Sequence, residues 1–300
     1  MSRLFDPRVQ PPSNMGVYGA TRYTDHDNYS ERVMTNNQRD GRKVARENEL
    51  RILRALHRFG WLRTRDLACL CWSRWGFKPI QLPRIGPMHP TASALRMSQR
   101  TLARLLKARL VLQGRGVEGS TIYALSEGGV RLLQSIGVAA MSGKDLVRRF
   151  STAYYRHRYI TNQIAIAGIV QGYRVATERE IARGLWIGGE AGIEGKRPDV
   201  LLRNGNRLWW VEVERSRKNA KEYQALLSWL SKVLKDKNGN ESSKIFPQGQ
   251  VLESLIFICT TAFENKLRRD LENLGCLQYK INMLISFENT LYILEETLFC

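Results

Sequence analysis

The residues best suited to chemistry are three acids, Asp199, Glu212 and Glu214, within the segment KRPDVLLRNGNRLWWVEVERSRK (196–218). The sequence NGN (204–206) separates two apolar runs and predicts the tight turn of a β-hairpin. Because strand side chains alternate with a period of two, any turn of even length places all three carboxylates on one face. A three-residue turn would move Asp199 to the opposite face.

Two registers of this hairpin remain open. A two-residue loop at 205–206 places Asp199 directly opposite Glu212, whereas a loop at 204–205 places it opposite Trp210. In both registers Asp199 and Glu212 point to the same side of the sheet, so both predict a cluster of negative charge.

Clustered carboxylates destabilise one another unless positive charge compensates them. One possible compensation is a divalent cation, which prefers hard carboxylate oxygens as ligands. The other is a set of basic neighbours, and five flank the acids: Lys196, Arg197, Arg215, Arg217 and Lys218. A solvated surface patch is a third interpretation, above all for Glu214, but Glu212 lies between apolar residues of a strand, where a charge is uncommon.

A metal ion held by two or three carboxylates can polarise a phosphodiester and activate the nucleophile that attacks it, while a cation stabilises the developing charge. The hairpin therefore predicts a Mg²⁺ or Mn²⁺ site that faces a DNA backbone.

The elements around this hairpin predict an α/β (α+β) fold. A long helix is expected within 142–172, a strand at 173–180, an amphipathic helix at 217–237, and two further strands at 252–261 and 281–287. Helices that alternate with strands around a hairpin indicate a mixed sheet.

The first half of the chain has a different pattern. The segments 47–60 and 64–72 predict two helices, and a third helix with Ser98 as its N-cap follows. The segment LVLQGRGVEGSTIYAL (110–125) alternates around a glycine-rich tip and predicts two strands.

Two helices, a basic third helix and a hairpin are typical of a winged helix-turn-helix. In that geometry the third helix enters the major groove of DNA and the wing touches the backbone. A solvated basic face without a DNA partner is the alternative interpretation. The candidate DNA contacts are Arg96, Gln99, Arg100, Arg104, Lys107 and Arg115.

The charge distribution favours DNA as the partner of the first half. The chain has a formal net charge of +19, and residues 1–150 contain 26 Lys and Arg against 11 Asp and Glu. Residues 151–300 contain 21 against 17. Cations concentrated in one half favour a polyanion there, because neutralising phosphates releases counterions.

Several other classes are disfavoured. No apolar run approaches the ~20 residues that cross a bilayer, and no secretory signal is evident, so we expect a cytoplasmic protein without membrane insertion. The five cysteines form no zinc pattern, and no phosphate-binding glycine motif predicts a nucleotide cofactor. The four histidines are far apart in sequence and are interpreted as surface or packing residues.

Pro198-Asp199, the hairpin and Glu212-x-Glu214 resemble the PD-(D/E)xK nuclease core, with glutamate at the position of the motif lysine. Together with the N-terminal winged helix and a helix that starts near His157, residues 45–235 resemble the replication-relaxation family. That family includes the MOBC class of mobilisation relaxases. The expected domains are a flexible basic arm (1–44), a winged-helix domain (45–140) and a PD-(D/E)xK restriction-endonuclease-like domain (150–300).

The resemblance implies a metal-dependent relaxase or relaxosome component that nicks double-stranded DNA at the transfer origin of a plasmid or integrative element. Other relaxosome or coupling proteins would be its partners. It implies Asp199 and Glu212 as metal ligands, with Glu214 at the last position of the motif. Glu178 or Glu180 would add a further acid, and Lys218 or Arg215 would supply the missing cation.

Two other functions remain open. The first is a non-catalytic DNA-binding protein, such as a replication initiator or transcriptional regulator, that keeps a degenerate nuclease fold. The second is a restriction-like endonuclease, which shares the chemistry but differs in its biology.

Overall fold

The computed structural model describes residues 40–79, 82–148, 152–214, 219–236 and 244–289. Most of the predicted arm, residues 1–39, lies outside this range, and residues 41–44 belong to the first helix. Among the described residues, no helix is long and apolar enough to cross a membrane.

The first part of the fold consists of four helices and a small antiparallel sheet. Its elements are α1 (Gly41–Phe59), β1 (Trp61–Arg63), α2 (Thr64–Trp72), α3 (Ala92–Lys107), β2 (Val111–Arg115), β3 (Thr121–Leu125) and α4 (Glu127–Gln134). The strand order is β1-β3-β2. The short strand β1 therefore pairs with β3, on the side of β3 away from β2. The predicted helices and the predicted strand pair are therefore present.

The start of α3 differs from the prediction. Its N-cap is Thr91, whose side chain accepts a hydrogen bond from the backbone N–H of Ala94. Ser98 lies inside the helix, fully buried, and its hydroxyl donates to the carbonyl of Thr64 at the start of α2. The serine thus joins two helices instead of beginning one, because an interior hydroxyl needs a partner.

The second part contains a five-stranded sheet and six helices within the described residues. Its elements are α5 (Lys144–Arg148), α6 (Thr152–Val170), β4 (Arg174–Ala176), α7 (Glu178–Ala182), β5 (Val200–Asn204), β6 (Arg207–Glu214), α8 (Ala220–Asp236), β7 (Val251–Cys259), α9 (Thr261–Asn273), α10 (Gln278–Leu284) and β8 (Ile285–Glu288). The strand order is β4-β5-β6-β7-β8. Strand β5 is antiparallel to both β4 and β6, and β7 and β8 continue the sheet in parallel to β6. The fold is therefore mixed α/β with a mixed sheet, as predicted.

Three local predictions differ from this structure. The predicted long helix is present as α5 and α6, with residues 149–151 outside the described range. The predicted strand at 173–180 ends at Ala176, because Thr177 and Glu180 form a capping box that starts α7. The first residues of the predicted last strand form α10, and only 285–288 are extended.

Strand β6 is buried on both faces. Its odd-numbered residues Trp209, Val211 and Val213 pack in one apolar cluster, which extends from Ile52 in α1 to Ile258 in β7. On the other face, Leu208 and Trp210 pack in a second cluster with α8 and α9. Each large apolar side chain that is fully buried adds roughly 1.5–3 kcal/mol to the free energy of unfolding. The acids on this strand are therefore held by a well-packed sheet.

Candidate acid–cation site on the central hairpin

The observed hairpin has the two-residue turn at 205–206. Asn204 pairs with Arg207 and Val200 pairs with Val211, and Gly205 adopts a φ of 61°. The next residues along the two strands are Asp199 and Glu212, so the structure places them across from each other on one side. The even length of this turn puts the two acids on a common side, and its position selects the register.

Asp199 contacts a backbone donor and a histidine. Its Oδ2 accepts a hydrogen bond from the N–H of Val213 at 2.7 Å, and its Oδ1 lies 3.3 Å from Nε2 of His157 on α6. Both side chains are about one-quarter exposed, at 24% for Asp199 and 23% for His157. The pair is therefore partly accessible to solvent.

The Asp199–His157 pair shifts both groups toward their charged forms. Burial alone would lower the pKa of His157, but the hydrogen bond and charge of Asp199, together with Glu178 and Glu212, raise it overall. Burial alone would raise the pKa of Asp199, but His157 and the N–H of Val213 lower it overall. The two shifts thus favour the charged imidazolium–carboxylate pair over the neutral pair.

Glu212 is more deeply buried, and both of its oxygens have a donor. Its Oε1 accepts from the indole N–H of Trp210 at 2.7 Å, and its Oε2 accepts from Nζ of Lys196 at 3.0 Å. Its side chain is only 5% exposed. Burial raises the pKa of Glu212 to about 7, against the charge of Lys196 and with the help of Asp199 and Glu214.

Lys196 is positioned by a tight turn of its own. Ile193 and Lys196 exchange two backbone hydrogen bonds of 2.9 and 3.0 Å, and Glu194 and Gly195 between them have positive φ values. The indole N–H of Trp229 on α8 donates to the carbonyl of Ile193 at 3.0 Å and anchors this turn to the core. Burial would lower the pKa of Lys196, but Glu212 raises it overall, so the ammonium keeps its charge.

Glu214 lies two residues beyond Glu212 on the same side of β6 and is 5% exposed. Its charge helps to raise the pKa values of Glu212 and of Cys259 on β7. The three predicted acids therefore share one side of the hairpin, as the even turn requires.

The two upstream acids have different surroundings. Glu178 accepts hydrogen bonds from Arg158 at 3.3 Å and from Thr161 at 3.1 Å. Its charge also helps to raise the pKa of His157. Glu180 pairs with Arg58 at 2.8 Å and caps the first turn of α7. Glu178 thus borders the acid–cation site, whereas Glu180 connects α7 to α1.

The cations proposed for the site from sequence, Lys218 and Arg215, lie outside the described residues. The cation that the structure places on Glu212 is Lys196. The sequence showed it only as one of five basic neighbours. His157 was interpreted as a surface or packing residue, and no local pattern links it to Asp199, because the two meet only through the packing of α6.

The donor chemistry fits a hard divalent cation. Among the described residues, no group of three His, Cys, Asp or Glu side chains is arranged to hold a metal. Mg²⁺, however, is usually bound by one or two carboxylates together with water and substrate phosphates. Each carboxylate oxygen has about two lone-pair sites, so Asp199 and Glu212 can accept their present hydrogen bonds and still bind Mg²⁺ or Mn²⁺.

The predicted DNA contacts are all exposed in the first part of the fold. Arg96, Gln99, Arg100, Arg104 and Lys107 are exposed on α3, and Arg115 is exposed at the end of β2. Arg104 also donates from Nε to Glu49 of α1 at 3.0 Å. A set of exposed cations on one helix forms a surface suited to phosphates.

Comparison of the chain with protein-family models, with curated proteins and with solved structures gives no match.

Proposed function

We propose that this protein binds double-stranded DNA and nicks it with the help of a divalent metal, as a relaxase or relaxosome component at the transfer origin of a plasmid or integrative element. The observation that carries the proposal is the grouping of Asp199, Glu212 and Lys196 at the hairpin of a mixed sheet. Two acids and one lysine are the residue types that the PD-(D/E)xK nuclease core uses. In this interpretation Lys196 fills the role of the motif lysine.

The proposed DNA-binding part is a winged helix. The element order α1-β1-α2-α3-β2-β3 and the strand order β1-β3-β2 support this arrangement. The exposed cations of α3 would contact the major groove, and Arg115 would contact the backbone from the wing. The net positive charge of the first 150 residues supports a duplex partner.

The chain's own residues would act in distinct ways at the phosphodiester. Lys196 is a point charge next to Glu212 and would bind a non-bridging phosphate oxygen as negative charge develops there. Water would attack the phosphorus and release a proton to solvent as the bond to the departing DNA oxygen breaks. His157, whose raised pKa favours its protonated form, would give a proton to that oxygen. Asp199 would hold the imidazole through Nε2 and keep it charged.

A Mg²⁺ or Mn²⁺ ion held by Asp199 and Glu212 would add Lewis-acid polarisation of the phosphate. Trp210 and the N–H of Val213 orient these two carboxylates from the protein side. Such support keeps the acids in place before DNA arrives.

The experiment uses a supercoiled plasmid that carries the DNA flanking the protein's own gene. Wild type with Mg²⁺ or Mn²⁺ is expected to convert it to the open-circular form, and Asp199→Asn and Lys196→Gln are expected to bind it without nicking. Glu264→Gln, which removes a surface pair with Arg268, is the matched control and should nick normally. A plasmid that stays supercoiled with wild type under all metal conditions would contradict the enzymatic proposal.

One observation favours the second candidate, a non-catalytic DNA-binding protein with a nuclease-like fold. Both oxygens of Asp199 and both oxygens of Glu212 already have protein partners. If the cluster only stabilises the fold, wild type and the Asp199→Asn variant will bind DNA equally and neither will nick it.

A further inference from the structure

Two arginines face each other on the edge strand β4 and its neighbour β5 in the five-stranded sheet. Arg174 of β4 is the direct cross-strand partner of Arg203 of β5. Arg174 is exposed and Arg203 is half-buried, and neither side chain makes an ion pair or hydrogen bond with another described residue. Like charges directly opposite in a sheet are destabilising, and their Cβ atoms are about 5 Å apart. Such a pair is unfavourable in the free protein and favourable once an anion lies between the two guanidinium groups.

The arginine pair borders a cleft of about 330 Å³. The other side chains that line it are mainly apolar: Leu185, Trp186, Ile187 and Leu201. Trp186 packs edge-on against Trp210 at 5.8 Å and donates its indole N–H to the carbonyl of Gly189 at 2.8 Å. The tryptophan is thus held in place while part of its surface stays accessible. A fixed aromatic ring beside two unpaired guanidinium groups is suited to a nucleotide, with the base on the ring and the phosphate on the cations.

The cleft and the acid–cation site lie on the same side of the sheet. Leu201 pairs with Trp210 and Arg203 with Leu208, which places Asp199, Leu201 and Arg203 in one row along β5. Four residues of an extended strand cover about 13 Å, since each adds about 3.3 Å. A strand of duplex DNA advances about 3.4 Å per phosphate along the helix axis, and an unwound strand is more extended, so the arginine pair lies at most about four phosphates from the acids.

We propose that Arg174 and Arg203 form a phosphate-binding subsite for a single DNA strand, with Trp186 as the surface on which a base stacks. This inference rests on the proposed function, because that function provides the strand that runs from the acids to the cleft. The subsite holds the strand on one side of the scissile phosphate and thereby fixes its position relative to Asp199.

The test measures the binding of the full chain to a short oligothymidylate by fluorescence anisotropy at several salt concentrations. Arg174→Gln/Arg203→Gln is expected to weaken binding about tenfold and to reduce the slope of log K against log salt by about 0.7–1.4, the contribution of one or two phosphates of a single strand. The charge-matched control is Arg131→Gln/Lys144→Gln, which neutralises two exposed cations of α4 and α5. The control should bind with nearly the affinity of wild type.

A second variant separates binding from folding. Arg174→Glu replaces the like-charge pair by an opposite-charge pair with Arg203, so its melting temperature should equal or exceed that of wild type. Its affinity for oligothymidylate should nevertheless fall at least as far as that of the double variant. Lower stability together with unchanged affinity would overturn the proposal.

Inorganic phosphate serves as the competing probe. The concentration of inorganic phosphate that displaces oligothymidylate is compared with the concentration of nucleotide phosphates in competing unlabelled oligothymidylate. If the two concentrations are equal, the cleft binds free phosphate and the assignment to a DNA strand is wrong. If the double variant and its control bind equally, the subsite does not exist.

These outcomes are independent of the nicking activity. If the plasmid is never nicked but the arginine variants bind oligothymidylate more weakly, the proposed function is contradicted and the subsite is supported. If the plasmid is nicked normally but those variants bind oligothymidylate as wild type does, only the subsite is contradicted.

Discussion

Nζ of Lys196 lies 3.0 Å from Oε2 of Glu212, in a site where the lysine comes from a turn before the hairpin and the glutamate from the middle of its second strand. The glutamate side chain is 5% exposed and the lysine side chain 23%. The buried carboxylate of Glu212 is therefore paired with a more accessible ammonium. The ammonium stabilises the buried carboxylate, and in the proposed function it would also bind a phosphate of the DNA.

Replacing Lys196 by Gln should leave Glu212 buried without its cation. Removing one partner of a buried pair costs about 3 kcal/mol or more, although Glu212 can reduce this cost by taking a proton. We therefore expect a larger loss of stability at about pH 8 than at about pH 5, where the carboxyl is already neutral. Denaturant unfolding at the two pH values measures the difference. Nicking should fall by about 10²-fold or more, as expected when a preorganised charge at the phosphate is removed.

Lys232→Gln is the control for this variant, because Lys232 pairs with Glu194 at the surface, where the two side chains are 60% and 46% exposed. Exposed pairs contribute less than about 1 kcal/mol, so its stability should hardly change. Equal losses in the two variants would contradict the role assigned to Lys196.

Glu212 should make the stability of the protein depend on pH in a specific window. Its pKa is raised by burial from 4.5 to about 7, so the native state binds a proton that the unfolded state has released. The free energy of unfolding therefore falls as the pH rises from 4.5 to about 7, and the effect is complete above that range. Glu212→Gln should remove this slope. Unfolding curves for wild type and variant across the window test it, and parallel pH profiles would show that Glu212 does not carry the proton.

The titrations of Asp199 and His157 should be linked, so that removing one charge changes the pKa of the other group. His157 has a raised pKa, so its contribution to stability is complete below 6.5 and is lost as the pH rises through its folded-state pKa. Asp199 has a lowered pKa, so its contribution is complete above 3.8 and is lost as the pH falls through its folded-state pKa. Asp199→Asn should lower the pKa of His157, which NMR titration of the imidazole measures directly.

His57 is the internal control for that titration. Its pKa is lowered by burial and by Arg179 and Arg183, none of which involves Asp199. It should titrate identically in wild type and in Asp199→Asn. A His157 titration that is also unchanged would mean that the two side chains do not interact in solution.

The basic face of α3 should contribute to duplex binding through phosphate contacts. Arg96→Gln/Arg100→Gln should weaken binding to random-sequence duplex DNA and reduce the slope of log K against log salt by about 2, close to 0.9 for each phosphate contact. Mobility-shift titrations at several salt concentrations measure both quantities. Arg131→Gln/Lys144→Gln carries the same loss of charge and should leave the slope nearly unchanged. A slope that is equal in the two variants would place the DNA elsewhere on the surface.

Period-two and helical patterns determined much of this structure before any tertiary contact was known. The NGN segment predicted a hairpin, and any turn of even length places Asp199, Glu212 and Glu214 on one side, because a strand has only two faces. Apolar spacing located most of the helices, and the charge count separated a strongly basic first half from the rest.

Local patterns were less reliable where a residue had two possible roles. Ser98 has the residue type of a helix cap, yet the packing of α3 on α2 makes it a buried link to Thr64. Residues 281–284 are apolar enough for a strand, yet they form the end of α10, since apolar runs this short suit either structure.

Only the tertiary structure decided which cations meet the acids. His157 reaches Asp199 because α6 packs beside the hairpin, and Lys196 reaches Glu212 because the turn at 193–196 is anchored to α8. The direct opposition of Arg174 and Arg203 likewise depends on the pairing of β4 with β5. A sequence specifies the faces of its own helices and strands through local periodicity, but contacts between distant segments depend on how those faces pack, and no local pattern encodes that.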